Sequence, residues 1–572
     1  MRASSRSVLS ALFVAACSSL ACTSDDEGAG SSLQGELAIY ASTFKDGTTR
    51  LDYGLRRAAL PEVKLELASP PRHAPGTTIK VDGGFDAQGR FVATSVGRAA
   101  GDSRIETVTS AIIQPTQARS IAVMHLLPSN EPEPAPFVVG PELARNSLFG
   151  TAALPDLPAN PRNADAYYRQ ASYGARALQG TAFDWITIAP LADYCDLDVL
   201  RNVALAAAAA NGINLSAFQH VAIVVAASCA NFGGRAEVGT PNTPGRYSWF
   251  WFEGSANIFV HELGHNFGLL HANTYTCTSA SGQEVPLATP DRCTEQAQFG
   301  QDPWDPMGIS SFAHFGAYNK RLEGWLAGSN VVTAGSSGGD FTLEPLELGT
   351  TAPQLLRVPV DTSLCPADIR PCFYDVEYRQ PIGFDSEPEF TFSTMHQGAL
   401  IRLGGEVDTT GNSSGSLTRL FKLHPPTVAD TLKVGETFQD PTGLQITTLS
   451  TPTVGDHKQL VVRVGRASRI TATFTFSSGQ SGTTGSTCGD VRITNTSTTP
   501  VNGGWLVRLN LNQSQLTTGW NGTFTALGGS LYNLTPVPWN AVIGPGQTIA
   551  AGMCANKTGA NFTPQVVFTQ SN

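Results

Sequence analysis

The chain has 572 residues, more than a single hydrophobic core organises, so three or four domains are expected. Only 15% of the residues are charged, while 57 are glycine and 36 are proline, a composition typical of β-rich exported modules with many turns. The formal net charge is −10 and no basic run occurs, which argues against a nucleic-acid partner.

The first 22 residues have the form of an export signal. Two arginines give a positively charged start, and the apolar run from Val8 to Ala16 is too short to span a bilayer. Cys17 and Cys22 each end a stretch that resembles the bacterial lipoprotein cleavage box, in which the cysteine is lipidated. The alternative is an ordinary secretory signal that is cut after an alanine. Both forms predict an exported protein, and only the N-terminal lipid would attach it to a membrane.

Residues 23–115 are predicted to form a tether and a small β-domain. The tether is rich in Ser, Gly and acidic residues, and short alternating segments separated by turns follow from Gly35 onward. One separator, Asp86-Ala-Gln-Gly89, is typical of a hairpin turn. The domain is either an accessory domain or a pro-region. A cysteine that could cap a metal from this region is absent, since none lies between residues 23 and 194.

Residues 116–330 are predicted to alternate strands and helices. A buried strand follows Arg119, a helix covers Tyr167 to Ala177, another covers Asp196 to Asn211, and a strand begins at His220. This order predicts a mixed α/β arrangement in front of the segment that carries the chemistry.

That segment reads His261-Glu262-x-x-His265-x-x-Gly268-x-x-His271. Residues four apart lie on one face of a helix, so His261 and His265 direct two imidazoles to one point. Gly268 permits a turn that brings His271 round as a third ligand. Three neutral imidazoles bind Zn²⁺ and leave one position open. Glu262 can then act as general base toward a zinc-activated water, and later as general acid, without binding the metal.

This motif resembles that of the metzincin zinc peptidases, and within them the gametolysin-like secreted enzymes. In that family a methionine turn forms the floor of the site, and Met307 in Asp305-Pro-Met-Gly308 is the candidate. The resemblance implies one zinc ion per chain and hydrolysis of peptide bonds in extracellular, cell-wall or matrix proteins. Calcium sites occur in such peptidases, but no loop spacing here indicates one. Three further segments carry the resemblance: SCANFGGRAEVG (228–239), HFGAYNKRLEGWL (314–326) and FYDVEYRQPIGFD (373–385).

Eight cysteines remain after Cys17 and Cys22. An even number in an exported chain predicts disulfides. The alternative, a second zinc site made of cysteines, lacks any CxxC spacing. The cysteines fall into sequence-adjacent couples, which predicts the pairs Cys195–Cys229, Cys277–Cys293, Cys365–Cys372 and Cys488–Cys554.

The remainder of the chain is predicted to form two β-sandwiches, at 331–466 and 467–572. In the second, charge nearly vanishes, and the segments NGGWLVRLNL, TGWNGTF and PWNAVIGPGQ resemble family 2 carbohydrate-binding modules. Exposed tryptophans of that family stack on the sugar rings of cellulose, chitin or xylan. By this resemblance Trp505 is a core residue, while Trp520 and Trp539 are candidates for sugar binding. The alternative is that both candidates are ordinary core aromatics.

The sequence therefore predicts a multidomain α+β protein. A metzincin-type peptidase domain, a mixed sheet plus an active-site helix, is flanked by an N-terminal small β-domain and two C-terminal β-sandwiches. One rival hypothesis is a non-catalytic surface adhesin or polysaccharide-binding protein that retains a zinc site. Another is a zinc hydrolase that removes acyl groups from glycans. Glu262 argues against the first rival, because zinc binding alone does not need that carboxylate.

Overall fold

The structure, a computed structural model, leaves the predicted signal segment, Cys17, Cys22 and the tether up to residue 30 outside the described residues. The described residues are 31–44, 49–58, 60–68, 71, 73, 75–99, 117–134, 140–150, 163–229, 232–251, 256–308, 312–336, 338–366, 369, 371–386, 394–405, 418–425, 427, 430–466, 468–502 and 504–571.

Strands dominate the protein, with 46% strand and 15% helix. The predicted α+β class with a metzincin-type peptidase domain is therefore wrong. The helices are short, and strands make up the larger part of the secondary structure. None of the described helices combines the length and apolar character needed to cross a bilayer. The α-helices are α1 (Pro141–Phe149), α2 (Ala164–Ala171), α3 (Leu197–Ala210), α4 (Ala256–Phe267) and α5 (Ala317–Leu322).

Short 3₁₀ helices lie in the connections between these elements. They lie at Leu215–Ala217, Pro290–Arg292, Gly328–Asn330, Gly383–Ser386, Thr394–His396 and Pro538–Asn540.

The first eleven strands join in one sheet, in the order β2-β3-β5-β4-β1-β10-β11-β9-β6-β7, with β8 paired to β6. Helix α2 is shorter than predicted, because β7 begins soon after it and pairs in parallel with β6. The strands are β1 (Ser31–Phe44), β2 (Thr49–Arg56), β3 (Val63–Leu67), β4 (Thr78–Phe85), β5 (Phe91–Arg98), β6 (Gln117–Pro128), β7 (Arg176–Ala182), β8 (Ile186–Ile188), β9 (His220–Val225), β10 (Phe232–Glu237) and β11 (Tyr247–Trp251).

Strand β1 belongs to two structures at once. It pairs with both β4 and β2, so that β1 to β5 close into a small ring, called the N-terminal barrel below. Its residues 40–44 also pair antiparallel with β10 of the central sheet. One 14-residue strand is long enough to serve both structures, and the bounds of the predicted β-domain at 23–115 stay a prediction.

The two faces of β1 contribute to two different cores. Successive side chains of a strand point to opposite faces. Leu37 and Ile39 pack in the core of the N-terminal barrel, whereas Ala38 and Tyr40 pack with Trp249 in the core of the central sheet. The barrel is thus attached to the central sheet by buried apolar surface as well as by backbone pairing.

The central part of the sheet has helices on both faces. Neighbouring residues of β6 point to opposite faces of the sheet. Ile121 packs with Phe259 of α4 and with Met307, whereas Ala122 packs with Leu200 of α3. This places α4, which carries the histidine motif, on the face of the sheet opposite to α3.

The next strands form a nine-stranded sheet, β13-β12-β20-β19-β18-β17-β15 with β14 on β12 and β21 on β19, and a four-stranded sheet, β16-β26-β23-β22. Strands on both sides of residue 331 share the larger sheet, because β12 pairs in parallel with β20. The strands are β12 (Ala272–Thr278), β13 (Glu284–Val285), β14 (Cys293–Gln301), β15 (Val331–Thr333), β16 (Gly339–Leu343), β17 (Leu355–Pro359), β18 (Cys372–Tyr378), β19 (Gly398–Gly405), β20 (Thr418–Phe421), β21 (Leu432–Lys433), β22 (Thr437–Gln439), β23 (Leu444–Ser450), β24 (Thr453–Val454), β25 (His457–Lys458) and β26 (Leu460–Arg466).

The C-terminal part is a sandwich of two four-stranded antiparallel sheets, as predicted, in the orders β27-β28-β33-β30 and β31-β32-β29-β34. The four predicted disulfides are present. The strands are β27 (Ile470–Ser478), β28 (Ser486–Asn495), β29 (Trp505–Asn510), β30 (Ser514–Trp520), β31 (Thr523–Gly528), β32 (Leu531–Thr535), β33 (Thr548–Lys557) and β34 (Gln565–Ser571).

A buried arginine connects β19 to the segment that precedes Met307. Arg402 Nε donates to Asp302 Oδ2 at 2.7 Å, and another guanidinium nitrogen lies 2.5 Å from Glu377 Oε1. All three side chains are almost fully excluded from solvent. Removing one partner of a buried ion pair leaves an uncompensated charge, which costs more than the pair itself contributes.

We expect Arg402→Met to lower the free energy of unfolding by about 3–5 kcal/mol, because Asp302 would keep its charge without its buried partner. Arg463→Met is the matched control. Its pair with Asp340 has side chains 58% and 48% exposed, so a loss below about 1 kcal/mol is expected. Parallel urea denaturation followed by near-ultraviolet circular dichroism measures both, and equal losses would contradict the expectation.

Candidate functional site

Three histidines converge at the end of α4. Their side chains are buried, and one ligand atom from each lies within 4.8 Å of the others. His261 and His265 lie one turn apart on α4, as the spacing predicts. Gly268 follows the helix with φ 113°, a conformation that favours glycine, and turns the chain so that His271 reaches the same point. The structure thus brings together the three predicted ligands.

The hydrogen bonds of two rings fix which nitrogen faces the centre. His261 Nδ1 lies 2.6 Å from the carbonyl oxygen of Pro306, and His265 Nδ1 lies 2.8 Å from that of Leu269. A carbonyl oxygen only accepts, so both Nδ1 atoms carry the hydrogen and both Nε2 atoms present lone pairs. These Nε2 atoms face each other at 3.1 Å.

Two facing lone pairs repel unless a cation lies between them, so the donor set fits a metal ion. Ligands at about 2.0–2.1 Å from Zn²⁺ in a tetrahedral site are about 3.3–3.4 Å apart, close to the observed separation. Three imidazoles with an open fourth position are the donor set of catalytic zinc sites. Metal binding itself stays a prediction.

Burial favours the form of the rings that binds metal. It lowers the pKa of His261 to about 4 and lowers the pKa of His265 and of His271 well below the usual value, with a further lowering from the neighbouring rings. Neutral imidazole is the ligand form. A proton therefore competes weakly for these nitrogens at neutral pH.

Glu262 lies beside the histidines with its carboxylate fully buried. Among the described residues, no hydrogen-bond donor reaches either of its oxygens. Burial raises its pKa well above the usual value, and Arg235 opposes that shift. A Cβ at Gly234 of β10 would overlap the Glu262 carboxylate, so only glycine allows the strand to lie this close. Gly234 belongs to the segment 228–239, and nothing in the pattern of that segment indicated this role.

Met307 is fully buried under α4, where the methionine turn was predicted to lie. A Cβ at Gly264 would overlap its sulfur, which places the thioether directly against the helix. Asp305 Oδ1 accepts from the Met307 amide at 2.9 Å, and Asp305 Oδ2 accepts from the Gly316 amide at 2.7 Å. The Asp305 side chain therefore holds the turn in place, and the turn directs the Pro306 carbonyl oxygen to His261.

One residue at the site was missed by the sequence analysis. Thr43 of β1 places Oγ1 2.9 Å from His261 Nε2 and 3.4 Å from His271 Nε2. It lies 218 residues before His261, in a strand with no motif. No local signal could have identified it, because only the pairing of β1 with β10 brings it to the histidines.

The two candidate sugar-binding tryptophans are on the surface of the C-terminal sandwich. Trp520 is 41% exposed and Trp539 is 67% exposed, which excludes the alternative that they are core aromatics. Trp505 is buried, as predicted, and donates its indole N–H to the Asn540 carbonyl at 2.8 Å. A Cβ at Gly552 would overlap the Trp520 indole, so one face of that ring lies on the backbone of β33.

Asn540 ties both exposed tryptophans to one place. Its amide nitrogen donates at 2.7 Å to the carbonyl of Asn521, the residue after Trp520. It also closes the short turn that carries Trp539, by accepting from the Val537 amide at 2.9 Å. The same buried side chain therefore joins the two backbone segments that carry the indoles.

Comparison with known proteins identifies the C-terminal part. Residues 471–571 match the family model described as cellulose binding domain, CBM_2. The chain is 41% identical over 92 residues to Exoglucanase B of Cellulomonas fimi, a match that covers 16% of this chain and only 8% of that protein. The predicted resemblance to family 2 carbohydrate-binding modules is confirmed, and the protein carries a C-terminal cellulose-binding domain.

Two solved structures are similar over the same small share of the chain. The chitin-binding domain of Chi18aC from Streptomyces coelicolor is 27% identical, covering 18% of this chain and 91% of that one, with a TM-score of 0.15. The cellulose-binding family 2 domain of ScLPMO10C is 24% identical, covering 19% and 100%, with a TM-score of 0.16. These matches do not support the gametolysin-like resemblance, which stays a prediction.

We expect the chain without its signal-like segment to bind one zinc ion, and His265→Ala to lose it, because two imidazoles leave the ion without its third protein ligand. His424→Ala is the control, since that ring is partly exposed and paired with Asp430 at 2.8 Å, away from the histidine triad. Mass-spectrometric metal analysis after dialysis against zinc measures both. Equal zinc in His265→Ala and wild type would contradict the proposed ligand set.

Proposed function

We propose that this chain is an exported polysaccharide-binding protein that also carries a zinc-dependent endopeptidase site. The C-terminal domain would hold the protein on cellulose or chitin, and the central site would cleave extracellular, cell-wall or matrix proteins found there. The observation that carries the catalytic part is the convergence of His261, His265 and His271 beside a buried Glu262 that has no donor among the described residues.

The binding part has the broader support. It rests on the family match at 471–571 and on two exposed indoles whose backbone segments one asparagine joins. An indole face attracts the C–H groups of a pyranose ring and buries apolar area on both partners. The family description and the exoglucanase relative favour cellulose as the first polysaccharide to test.

The catalytic part depends on how the chain's own groups surround a bound metal. Zn²⁺ held by the three histidines would polarise a substrate carbonyl and lower the pKa of water. Glu262 would take the proton from the attacking water and deliver it to the leaving amine. The Pro306 and Leu269 carbonyls would hold two of the imidazoles in the metal-binding tautomer throughout.

A peptide substrate is favoured over an acylated glycan by the way β1 lies at the site. An extended stretch of polypeptide already runs antiparallel along β10, with one residue directed at the histidines. The edge of β10 beside the triad, called the peptide groove below, therefore accommodates a peptide backbone. The disulfides and the signal-like start of the chain support export.

The second candidate is a polysaccharide-binding protein that keeps the zinc site without hydrolysis. The family match at 471–571 favours it directly, and so does the position of Thr43 on the open side of the triad. Substitution of Glu262 separates the two candidates, since the carboxylate matters only for hydrolysis.

We expect Glu262→Gln to reduce cleavage of gelatin or casein by at least about 100-fold while zinc content is unchanged, because the amide cannot accept the proton. Since β1 covers the histidines, cleavage is measured on the exported chain and again after limited proteolysis that removes its N-terminal part. If wild type holds zinc but cleaves no protein in either form, the non-catalytic candidate replaces the peptidase.

We expect Trp539→Ala to weaken binding to microcrystalline cellulose about fivefold, the loss of roughly 1 kcal/mol from burying one indole face. Val542→Ala is the matched control, because Val542 is 56% exposed and three residues away. Depletion of the protein from solution by increasing cellulose measures both. Unchanged binding by Trp539→Ala, on cellulose and on chitin, would contradict the proposed role of Trp539 in sugar binding.

A further inference from the structure

Strand β1 lies where a substrate of the proposed peptidase would have to bind. We propose that Thr43 is the fourth ligand of the metal site and that β1 occupies the peptide groove of β10, so that the exported chain is latent until the N-terminal barrel is displaced. This inference rests on the proposed metal site, and its experiment separates the two.

The position of the Thr43 hydroxyl is that of a metal ligand. Its distance to His271 Nε2, 3.4 Å, matches the separation of about 3.3–3.4 Å between ligands of tetrahedral zinc, while its distance to His261 Nε2, 2.9 Å, is that of a hydrogen bond. A hydroxyl carries one hydrogen and can donate to only one of these nitrogens at a time. A cation at the centre would satisfy the hydroxyl oxygen and all three rings together.

The backbone of β1 blocks the groove as well. Thr43 pairs with Gly234, and residues 40–43 continue the antiparallel pairing with β10 toward Glu237. An extended peptide that adds to an exposed strand uses the same row of backbone donors and acceptors. Because Gly234 lies against the Glu262 carboxylate, the occupied stretch is also the one nearest the proposed general base.

The N-terminal barrel is held in this position by several kinds of contact. Arg56 lies 2.6 Å from Glu237, and Arg235 lies 2.7 Å from Asp52, so that ion pairs join the barrel to one end and to the middle of the paired stretch of β10. Leu270 packs into the core of the barrel, although it is the neighbour of His271 in the chain. Displacing β1 therefore requires the barrel to leave as a unit.

This device needs no cysteine. The absence of a cysteine between residues 23 and 194 excludes a thiolate cap from the N-terminal region, and the threonine hydroxyl takes that position instead. A hydroxyl binds zinc more weakly than a thiolate. The backbone pairing with β10 and the contacts of the barrel therefore contribute most of the stability of the bound β1. Covalent attachment adds a high effective concentration of the inhibitory strand.

The first test is spectroscopic and uses the exported chain loaded with Co²⁺. Thr43→Val keeps the shape and strand preference of threonine but removes the oxygen, so its visible absorption bands should change. Thr43→Ser and Ser42→Ala, whose side chain instead contacts Asp52, should retain the wild-type spectrum. A Thr43→Val protein with wild-type thermal unfolding and a wild-type cobalt spectrum would overturn the ligand assignment.

The second test concerns the groove. A specific protease site is inserted between Ala99 and Gln117, and binding of a dipeptide hydroxamate to the cobalt protein is measured before and after cleavage. Dilution of the cut chain 100-fold should increase hydroxamate occupancy at least tenfold, because the barrel then dissociates, while the uncut chain should not respond. Equal hydroxamate binding by cut and uncut chains at every dilution would overturn the latency.

The outcomes distinguish this inference from the peptidase proposal. A cut chain that gains hydroxamate binding but leaves gelatin intact supports occupancy of the groove and contradicts the peptidase activity. A cut chain that cleaves gelatin no faster than the uncut chain, while the uncut chain is active, supports the peptidase and overturns latency. A chain that takes up no cobalt overturns both.

Discussion

The contact on which the candidate site depends is the one between His261 and the Pro306 carbonyl. It fixes the imidazole tautomer, and it exists only because the turn before Met307 is held rigidly under α4. That turn is held in its place by Asp305 through backbone amides and by Asp302 through a buried ion pair with Arg402 of β19. A buried arginine of the second sheet therefore supports a histidine of α4, the helix that packs on the first sheet.

The pairing of β1 with β10 is the second constraint. A strand edge exposes unpaired donors and acceptors, and β10 would be such an edge without β1. The barrel covers this edge, shares its core with Leu270 and brings a hydroxyl to the triad. The N-terminal barrel and the central sheet are consequently one structural unit at the site, although each has its own core.

The two functional regions are far apart in sequence and differ in physical character. The histidine site is buried and built from ionisable groups, whereas the tryptophan face is exposed and almost uncharged. A buried site selects by geometry and chemistry, and an exposed aromatic face binds a repeating surface. In the proposed function, the exposed tryptophans would keep the chemistry of the histidine site close to a polysaccharide.

Local spacing in the sequence determined part of this arrangement. The four-residue spacing of His261 and His265, the glycine that ends the helix and the sequence-adjacent cysteine couples each act over a short stretch of chain, so pattern alone predicted their geometry. The C-terminal sandwich was predicted because its aromatic and turn segments carry a specific resemblance.

Only the tertiary structure decided which strands pair. Alternation of side chains predicts a strand but not its neighbour, so the pairing of β1 with β10 and of β12 with β20 was invisible. The predicted α+β class was wrong because strands prevail over the short helices. This pairing brings Thr43 to His261, which lies 218 residues later in the chain. A local periodicity of the sequence cannot predict a contact between residues so far apart.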